Sequence, residues 1–118
     1  MKDREIIIGN TTHIPVRFRD RYGRPIDFTL NSRIARLRLT TVGSTTPLYT
    51  LDTTDSAEFT WTSQANGEGE WLFESSTSYT AGTYEVTVTY TDPSPSPDTV
   101  VTWEGGRYTV RQPTTGAL

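Results

Sequence analysis

The sequence predicts an all-β domain built as a two-sheet antiparallel sandwich of about seven to nine strands. Apolar and polar residues alternate in short runs, and turn residues separate these runs at intervals of about 8 to 12 residues. Threonine occurs 23 times in 118 residues. Its β-branched side chain suits a pleated, half-buried surface better than a helix. We therefore expect no helix longer than one turn.

The clearest predicted strand spans residues 84–90. Its apolar face consists of Tyr84, Val86, Val88 and Tyr90. Threonines and Glu85 occupy the other face, which is typical of an antiparallel strand with one solvated side. The other predicted strands, in chain order, are residues 6–8, 14–18, 34–39, 48–51, 58–62, 70–74, 99–103 and 107–111.

Glycine, proline and asparagine mark the predicted turns at residues 22–25, 43–47 and 66–69. Gly105-Gly106 lies between two alternating runs, which predicts a two-residue β-hairpin turn. Residues 92–98 contain three prolines and cannot supply a full set of ladder donors. We therefore expect a projecting loop there, not an edge strand.

The chain is predicted to form one domain over residues 1–111, because its length suffices for a single core. Residues 112–118 show no pattern and are predicted to be a flexible C-terminal tail. The absence of cysteine excludes disulfides and thiolate metal sites. The N-terminus lacks the apolar run of a signal peptide, and no segment is long enough to span a membrane. We expect a soluble protein without a membrane partner.

Charge is distributed unevenly along the chain. Seven arginines lie between Arg17 and Arg38, whereas the 68 residues from 39 to 106 contain ten carboxylates and neither Lys nor Arg. The net charge of −3 and the pI near 5.0 argue against a nucleic-acid partner. Segregated charge on a small domain favours docking against another protein, because complementary patches fix orientation.

Four arginines form the predicted assembly interface. Arg17 and Arg19 point away from one apolar strand face, and Arg36 and Arg38 point away from another, so we expect all four to be exposed. Guanidinium groups on rigid strands suit bidentate pairing with carboxylates. Solvated outer faces that protect sheet edges show the same pattern, and both interpretations remain open. The acidic counterparts on a neighbouring copy would be Glu70, Glu85 and Glu104, together with Glu58, Glu68 and Glu74.

No combination of residues predicts catalysis or metal binding. His13 is the only histidine and has neither a recognisable nucleophile nor an orienting carboxylate. Residues 68–74 contain acids that could supply a glycosidase pair, but acids near a turn are ordinarily just solvated. Asp52, Asp55 and Glu58 do not match the spacing of a calcium loop. We expect no enzyme activity, no cofactor and no metal.

Aromatic residues support an alternative function. Trp103, Tyr108 and Tyr79 could form a platform on which a sugar ring stacks, as in a carbohydrate-binding β-sandwich. The aromatic pairs that share a strand face are instead predicted to fill the core: Phe59 with Trp61, and Trp71 with Phe73. Both Val100 and Val101 precede Trp103, so the sequence leaves open which side of its strand is buried.

Thr80-Ala81-Gly82-Thr83-Tyr84-Glu85-Val86 resembles the Gly-x-Tyr-x-Cys segment that begins strand F of an immunoglobulin domain. The resemblance implies that Tyr84 makes the corner hydrogen bond, while Val86 occupies the Cys position. The strand-C tryptophan has no counterpart in residues 32–40. The resemblance therefore implies an immunoglobulin-like two-sheet antiparallel β-sandwich, and not an antibody-type domain.

A set of short motifs follows in order along roughly residues 9–111. Gly9-Asn10-Thr11 leads into the strand at 14–18, an Asp-x-x-Gly-x-Pro-Ile-Asp turn occupies 20–27, and a strand begins at Ile34. Gly69-Glu70-Trp71-Leu72-Phe73, the segment at 81–86 and the segment at 103–110 follow. Together they resemble tail accessory domains of tailed phages, and in particular the N-terminal domain of phage baseplate upper proteins.

This resemblance implies a non-enzymatic virion structural protein that is made in the host cytoplasm. Its partners would be other phage virion proteins and further copies of itself, in the tail or baseplate. Members of that family usually continue into a shaft or a receptor-binding region, so a free-standing module could also be a tail adaptor or a capsid decoration protein. A carbohydrate-binding module remains the alternative function.

Overall fold

The computed structural model describes residues 4–30, 32–44, 47–74, 80–94 and 99–112, without the side chains of Arg4, Leu48 and Glu74. These residues form eight strands: β1 (Arg4–Ile7), β2 (Thr11–Arg17), β3 (Ile34–Thr41), β4 (Pro47–Asp52), β5 (Phe59–Ser63), β6 (Glu68–Glu74), β7 (Gly82–Asp92) and β8 (Thr99–Arg111). A three-residue 3-10 turn, Gln64–Asn66, is the only helical element among them. The predicted all-β class is confirmed.

The strands form two sheets. One contains five strands in the order β1-β8-β7-β3-β4, and the other contains three in the order β2-β6-β5. All pairs are antiparallel except β1 with β8, which is parallel, so the expectation of a wholly antiparallel sandwich is wrong for this pair. Parallel strands need a long connection between them, and here residues 8–98 provide it.

Strand β8 runs through Gly105-Gly106 without a break, so the hairpin turn predicted there is wrong. Glu85 on β7 faces Arg107, whereas Thr87 faces Glu104, which leaves one extra residue on β8. The φ angle of Gly106 is 81°. Glycine tolerates this angle in a β-bulge as readily as in a turn. The glycine pair therefore bends one long strand, and the two strands predicted on either side of it are a single strand.

The two sheets face each other across one hydrophobic cluster. The rings of Phe73 on β6 and Tyr108 on β8 meet edge to face, with centroids 5.7 Å apart. Phe59, Trp71 and Phe73 are buried, which confirms their predicted place in the core. Burying each such ring contributes about 2 to 3 kcal/mol relative to leaving it in water. This shared core fixes how the edges of the two sheets meet.

A tyrosine fixes the entry of the chain into β7. The hydroxyl of Tyr84 donates a hydrogen bond of 2.6 Å to the carbonyl of Thr80, which confirms the predicted corner bond. The hydroxyl of Tyr49 accepts a hydrogen bond of 2.7 Å from the Thr80 N–H. Both backbone groups of Thr80 are thereby satisfied by buried or half-buried tyrosines on β4 and β7, the two strands that flank β3.

Two predicted segments lie largely outside the described residues. In the predicted loop at 92–98, only residues 92–94 are described. There Asp92 ends β7, and its Oδ1 atom accepts hydrogen bonds from the N–H and the hydroxyl of Ser94. In the predicted tail at 112–118, only Gln112 is described.

Candidate protein-interaction surface

The four arginines predicted to form one interface lie on two different sheets. Arg17 ends β2 and Arg19 follows it, on the three-stranded sheet, whereas Arg36 and Arg38 lie on β3 of the five-stranded sheet. The outer faces of two stacked sheets point in opposite directions. The two pairs of arginines therefore cannot contact the same flat surface.

Arg36 and Arg38 lie on the outer face of their sheet, as expected, but they are half-buried and engaged within that sheet. Arg36 donates two hydrogen bonds, of 3.1 and 3.0 Å, to Oδ2 of Asp52, and Arg38 donates one of 3.0 Å to the hydroxyl of Thr89. Burial alone would raise the pKa of Asp52, but hydrogen bonds from Thr54 and Arg36 hold it below its ordinary value. These contacts tie β3 to β4 and β7.

The predicted acidic counterparts are divided in the same way. Glu85 and Glu104 lie on the outer face of the five-stranded sheet, opposite Arg107 and Thr87 respectively. Glu70 lies on the other sheet, where its Oε2 atom is 3.0 Å from Nδ1 of His13. The three carboxylates therefore do not form a single acidic face.

Two of the three aromatic residues considered for a sugar platform are described, and these two do not form an exposed platform. Tyr108 is fully buried at 0% exposure, so it cannot stack on a sugar ring. Tyr79 lies outside the described residues. Trp103 is half-buried, and its ring centroid lies 6.2 Å from those of Phe18 and Tyr90. Trp103 therefore points inward and caps one end of the core.

A groove opens beside Trp103, where the edge of the five-stranded sheet approaches the chain that follows β2. It consists of two adjoining recesses of about 320 and 620 Å³, which share Arg19 and Trp103 in their walls. Val16 and Phe18 line the first recess, and Val101 lines the second. We call these five residues and the turn described next the β2–β8 groove. Its floor is apolar.

The outer wall of the groove is a turn that Asp20 organises. Its Oδ1 atom accepts the N–H groups of Tyr22 and Arg24 at 2.8 and 3.0 Å, and its Oδ2 atom accepts Nε of Arg24 at 3.1 Å. The pKa of Asp20 is lowered, most of all by the hydrogen bond from the Arg24 backbone N–H and to a smaller extent by the other hydrogen bonds. The carboxylate therefore stays ionised and keeps the turn closed.

This turn presents an aromatic ring between two cations. Tyr22 is 66% exposed, and the guanidinium carbons of Arg21 and Arg24 lie 4.9 and 5.1 Å from its ring centroid. Tyrosine and arginine, with tryptophan, are the residue types enriched at the energetic centres of protein interfaces. Sequence reasoning identified this segment only as a turn, although the Arg-Tyr-Gly-Arg order was the available signal.

An ion pair beneath the turn holds the groove in place. Arg33 donates from Nε to Oδ2 of Asp92 at 3.0 Å and from Nη1 to the carbonyl of Asp27 at 2.9 Å. The backbone hydrogen bond from Ser94, with the other hydrogen bonds to its carboxylate, lowers the pKa of Asp92. Arg33 thus connects the chain after β2 to the end of β7, so the groove is formed before any partner arrives.

The β2 side of the groove carries unbalanced positive charge. Arg17 and Arg19 each approach the same Oε1 atom of Glu68, at 3.8 Å in both cases. One carboxylate is therefore shared by two guanidinium groups at more than hydrogen-bond distance. No carboxylate among the described residues forms an ion pair with Arg21. An acidic ligand would meet cations here.

Within the described ranges, no group of three or more His, Asp and Glu residues is arranged to hold a metal ion. No helix in the described part of the chain is long and apolar enough to cross a membrane. The chain matches no protein-family model, and neither a curated protein nor a solved structure matches it.

Proposed function

We propose that this chain is a non-enzymatic assembly module of a tailed-phage virion, with an immunoglobulin-like fold. It works in the tail or baseplate, or as an adaptor or capsid decoration protein, by binding other virion proteins. The motifs along residues 9–111 support the virion assignment. The single structural observation that carries protein binding is the β2–β8 groove, with its apolar floor beside an exposed Arg-Tyr-Arg turn.

The strand order supports the immunoglobulin-like part of this proposal. Strands β2, β5 and β6 share one sheet, as strands B, D and E do in that fold, and β3, β7 and β8 share the other, as C, F and G do. Strand β4 pairs with β3 in the position of C′. The corner bond of Tyr84 at the start of β7 matches the corner tyrosine of strand F.

The chemistry of the groove favours a protein partner over a sugar. An apolar floor bordered by tyrosine and arginine resembles the centre and rim of a protein interface. A carbohydrate-binding module would depend on Trp103, since Tyr108 is buried. Trp103 does border both recesses. Loss of glycan-array binding in Trp103→Ala, with normal binding to virion proteins, would favour that second function.

Particle composition tests the proposed function directly. Mass spectrometry of purified particles should find the chain, and Arg17→Glu combined with Arg21→Glu should lower its occupancy, because both arginines are exposed beside the groove. The Arg36 and Arg38 pair is a poor choice, since a glutamate at 36 would face Asp52. Thr50→Glu, which adds negative charge to the outer face of the other sheet, is the control and should leave occupancy unchanged. Absence of the chain from particles would refute the proposal.

A further inference from the structure

The first half of β8 has an open edge in the described part of the chain. Strand β1 pairs with β8 only at residues 108–111. Strand β7 occupies the other side of β8 along nearly its whole length. Along residues 99–104, the backbone N–H and C=O groups that point away from β7 therefore have no described strand to pair with.

Three of the other outer strands, β2, β4 and β5, carry features that discourage pairing. Pro15 lies within β2 and lacks an N–H donor, and Pro47 begins β4. Strand β5 is five residues long, and its register is interrupted between Trp61 and Ser63. By contrast, Thr99-Val100-Val101-Thr102-Trp103 contains no proline and no charge, and it is rich in β-branched residues. This segment is less protected than the edges of β2, β4 and β5.

The side chains at this edge are also uncovered. Val100 is 58% exposed and Val101 is 39% exposed. Val101 pairs with Tyr90, whose side chain is buried, so Val101 lies on the inner side of its sheet. An inner residue stays exposed only where the opposite sheet does not reach it. The larger recess of the groove lies at this position.

We propose that residues 99–104 bind an extended acidic segment of a partner virion protein as an added β-strand. Backbone hydrogen bonds to the open edge would supply affinity, and alternate apolar side chains of the segment would enter the β2–β8 groove. Its carboxylates would face Arg17, Arg19 and Arg21, of which Arg17 and Arg19 share the single carboxylate of Glu68. Glu104, which pairs with Thr87 on β7, also lines the first recess beside Arg17 and Arg19. The inference rests on the proposed function and specifies its binding mode.

Three synthetic peptides test the binding mode on the full chain. The first alternates valine and glutamate over seven residues, the second replaces each glutamate with lysine, and the third carries an N-methyl group on every backbone nitrogen of the first. We expect the glutamate peptide to bind, with NMR amide shifts centred on residues 99–104. The lysine peptide should bind at least about tenfold more weakly, because its charges oppose the arginines. The N-methylated peptide should not bind, because it cannot form the ladder.

A matched pair of variants locates the site. Val101→Asn removes an apolar contact at the edge without adding charge, and should weaken binding of the glutamate peptide by about tenfold. Val42 is 43% exposed at the turn after β3, so Val42→Asn is a change of equal chemistry elsewhere and should leave binding unchanged. Circular dichroism and thermal unfolding verify that both variants fold.

Three outcomes would overturn the inference. Equal binding of the N-methylated peptide would exclude strand addition, and equal binding by the Val101 and Val42 variants would exclude this edge. Self-association of the free protein that Val101→Asn abolishes would assign the edge to a second copy. Each of these results can occur while the chain is still found in particles, so the proposed function would stand. Peptide binding by a chain absent from particles would instead refute the function alone.

Discussion

Tyr84 shows how one side chain defines a junction in this domain. Its hydroxyl bonds to the Thr80 carbonyl, while the neighbouring ring of Tyr49 packs against it at a centroid distance of 5.8 Å. Burial raises the pKa of Tyr84, and the proximity of Tyr49 raises it further by a smaller amount. The phenol is therefore neutral at physiological pH and acts as a donor. A neutral hydrogen bond of this kind contributes about 1 kcal/mol to stability.

Replacing Tyr84 with Phe should lower the free energy of unfolding by about 1 kcal/mol, because the ring keeps its packing while the Thr80 carbonyl loses its donor. In a domain of this size the melting temperature should fall by roughly 4 °C. Urea denaturation followed by tryptophan fluorescence measures the change. Tyr22→Phe, at an exposed ring, is the control and should have no effect. A Tyr84→Phe variant as stable as the parent would show that the corner bond contributes nothing.

At the scale of elements, β6 depends on a glycine. Gly69 lies in the central strand of the three-stranded sheet, where glycine is normally unfavourable. A Cβ atom at this position would lie 2.5 Å from the ring of Phe59 and 2.5 Å from the carbonyl of Thr60. The missing side chain therefore lets the Phe59 ring lie against the β6 backbone, beside Trp71 at a centroid distance of 4.8 Å.

Gly69→Ala should destabilise the fold by about 3 kcal/mol, because the new methyl group would displace both the ring and the backbone of β5. Gly43→Ala is the informative comparison. Gly43 has a φ of 85° with open space around it, so alanine there should cost only about 1 kcal/mol from backbone strain. Chemical denaturation of both variants ranks the two effects. Equal losses would mean that crowding at Gly69 is unimportant.

Local patterns were enough to place the strands, because period-two alternation depends only on neighbouring residues. The resemblance to immunoglobulin strand F identified the corner tyrosine, and the shared strand face of Trp71 and Phe73 identified the core position of Trp71. Gly105-Gly106 was misread because a hairpin and a bulge both use glycine at positive φ, and only pairing with β7 distinguishes them. The pairing of Arg36 with Asp52 depends likewise on the register between β3 and β4.

The β2–β8 groove could not be predicted in this way. In the described part of the chain, β1 covers β8 only at residues 108–111, and the chain after β2 leaves a recess beside Trp103. Both are relations between distant segments. The exposed Arg-Tyr-Gly-Arg turn was visible in the sequence, but its position beside an open edge was not.

At the scale of the whole molecule, ionised aspartates hold several loops. Hydrogen bonds lower the pKa values of Asp20, Asp27 and Asp92. The leading cause for Asp20 is the hydrogen bond from the backbone N–H of Arg24, and the leading cause for Asp92 is the hydrogen bond from the backbone N–H of Ser94. In the unfolded chain these carboxylates have pKa values near the ordinary 3.8, whereas in the folded chain they bind protons only at lower pH. Folding is therefore favoured above pH 3.8, and this contribution is lost as the pH falls through the lowered pKa values.

Thermal unfolding between pH 7 and pH 2 should show this loss below about pH 4. Asp92→Asn should weaken the acid dependence and should lower stability at pH 7 by about 2 kcal/mol, because Arg33 would lose its ionic partner in a largely buried position. Asp55→Asn, at an exposed aspartate, is the control and should preserve the acid profile. An unchanged profile in Asp92→Asn would assign the acid sensitivity to the other aspartates.

The parallel pairing of β1 with β8 has a mechanical consequence. Arg4 faces Tyr108 and Ile7 faces Arg111, so both strands run in the same direction over four matched positions. Tension applied before Arg4 and after Arg111 would pull the two strands lengthwise past each other and load these positions together. Peeling them apart one at a time would require a different direction of force. The domain is thus arranged to resist stretching along the line that joins its first and last strands.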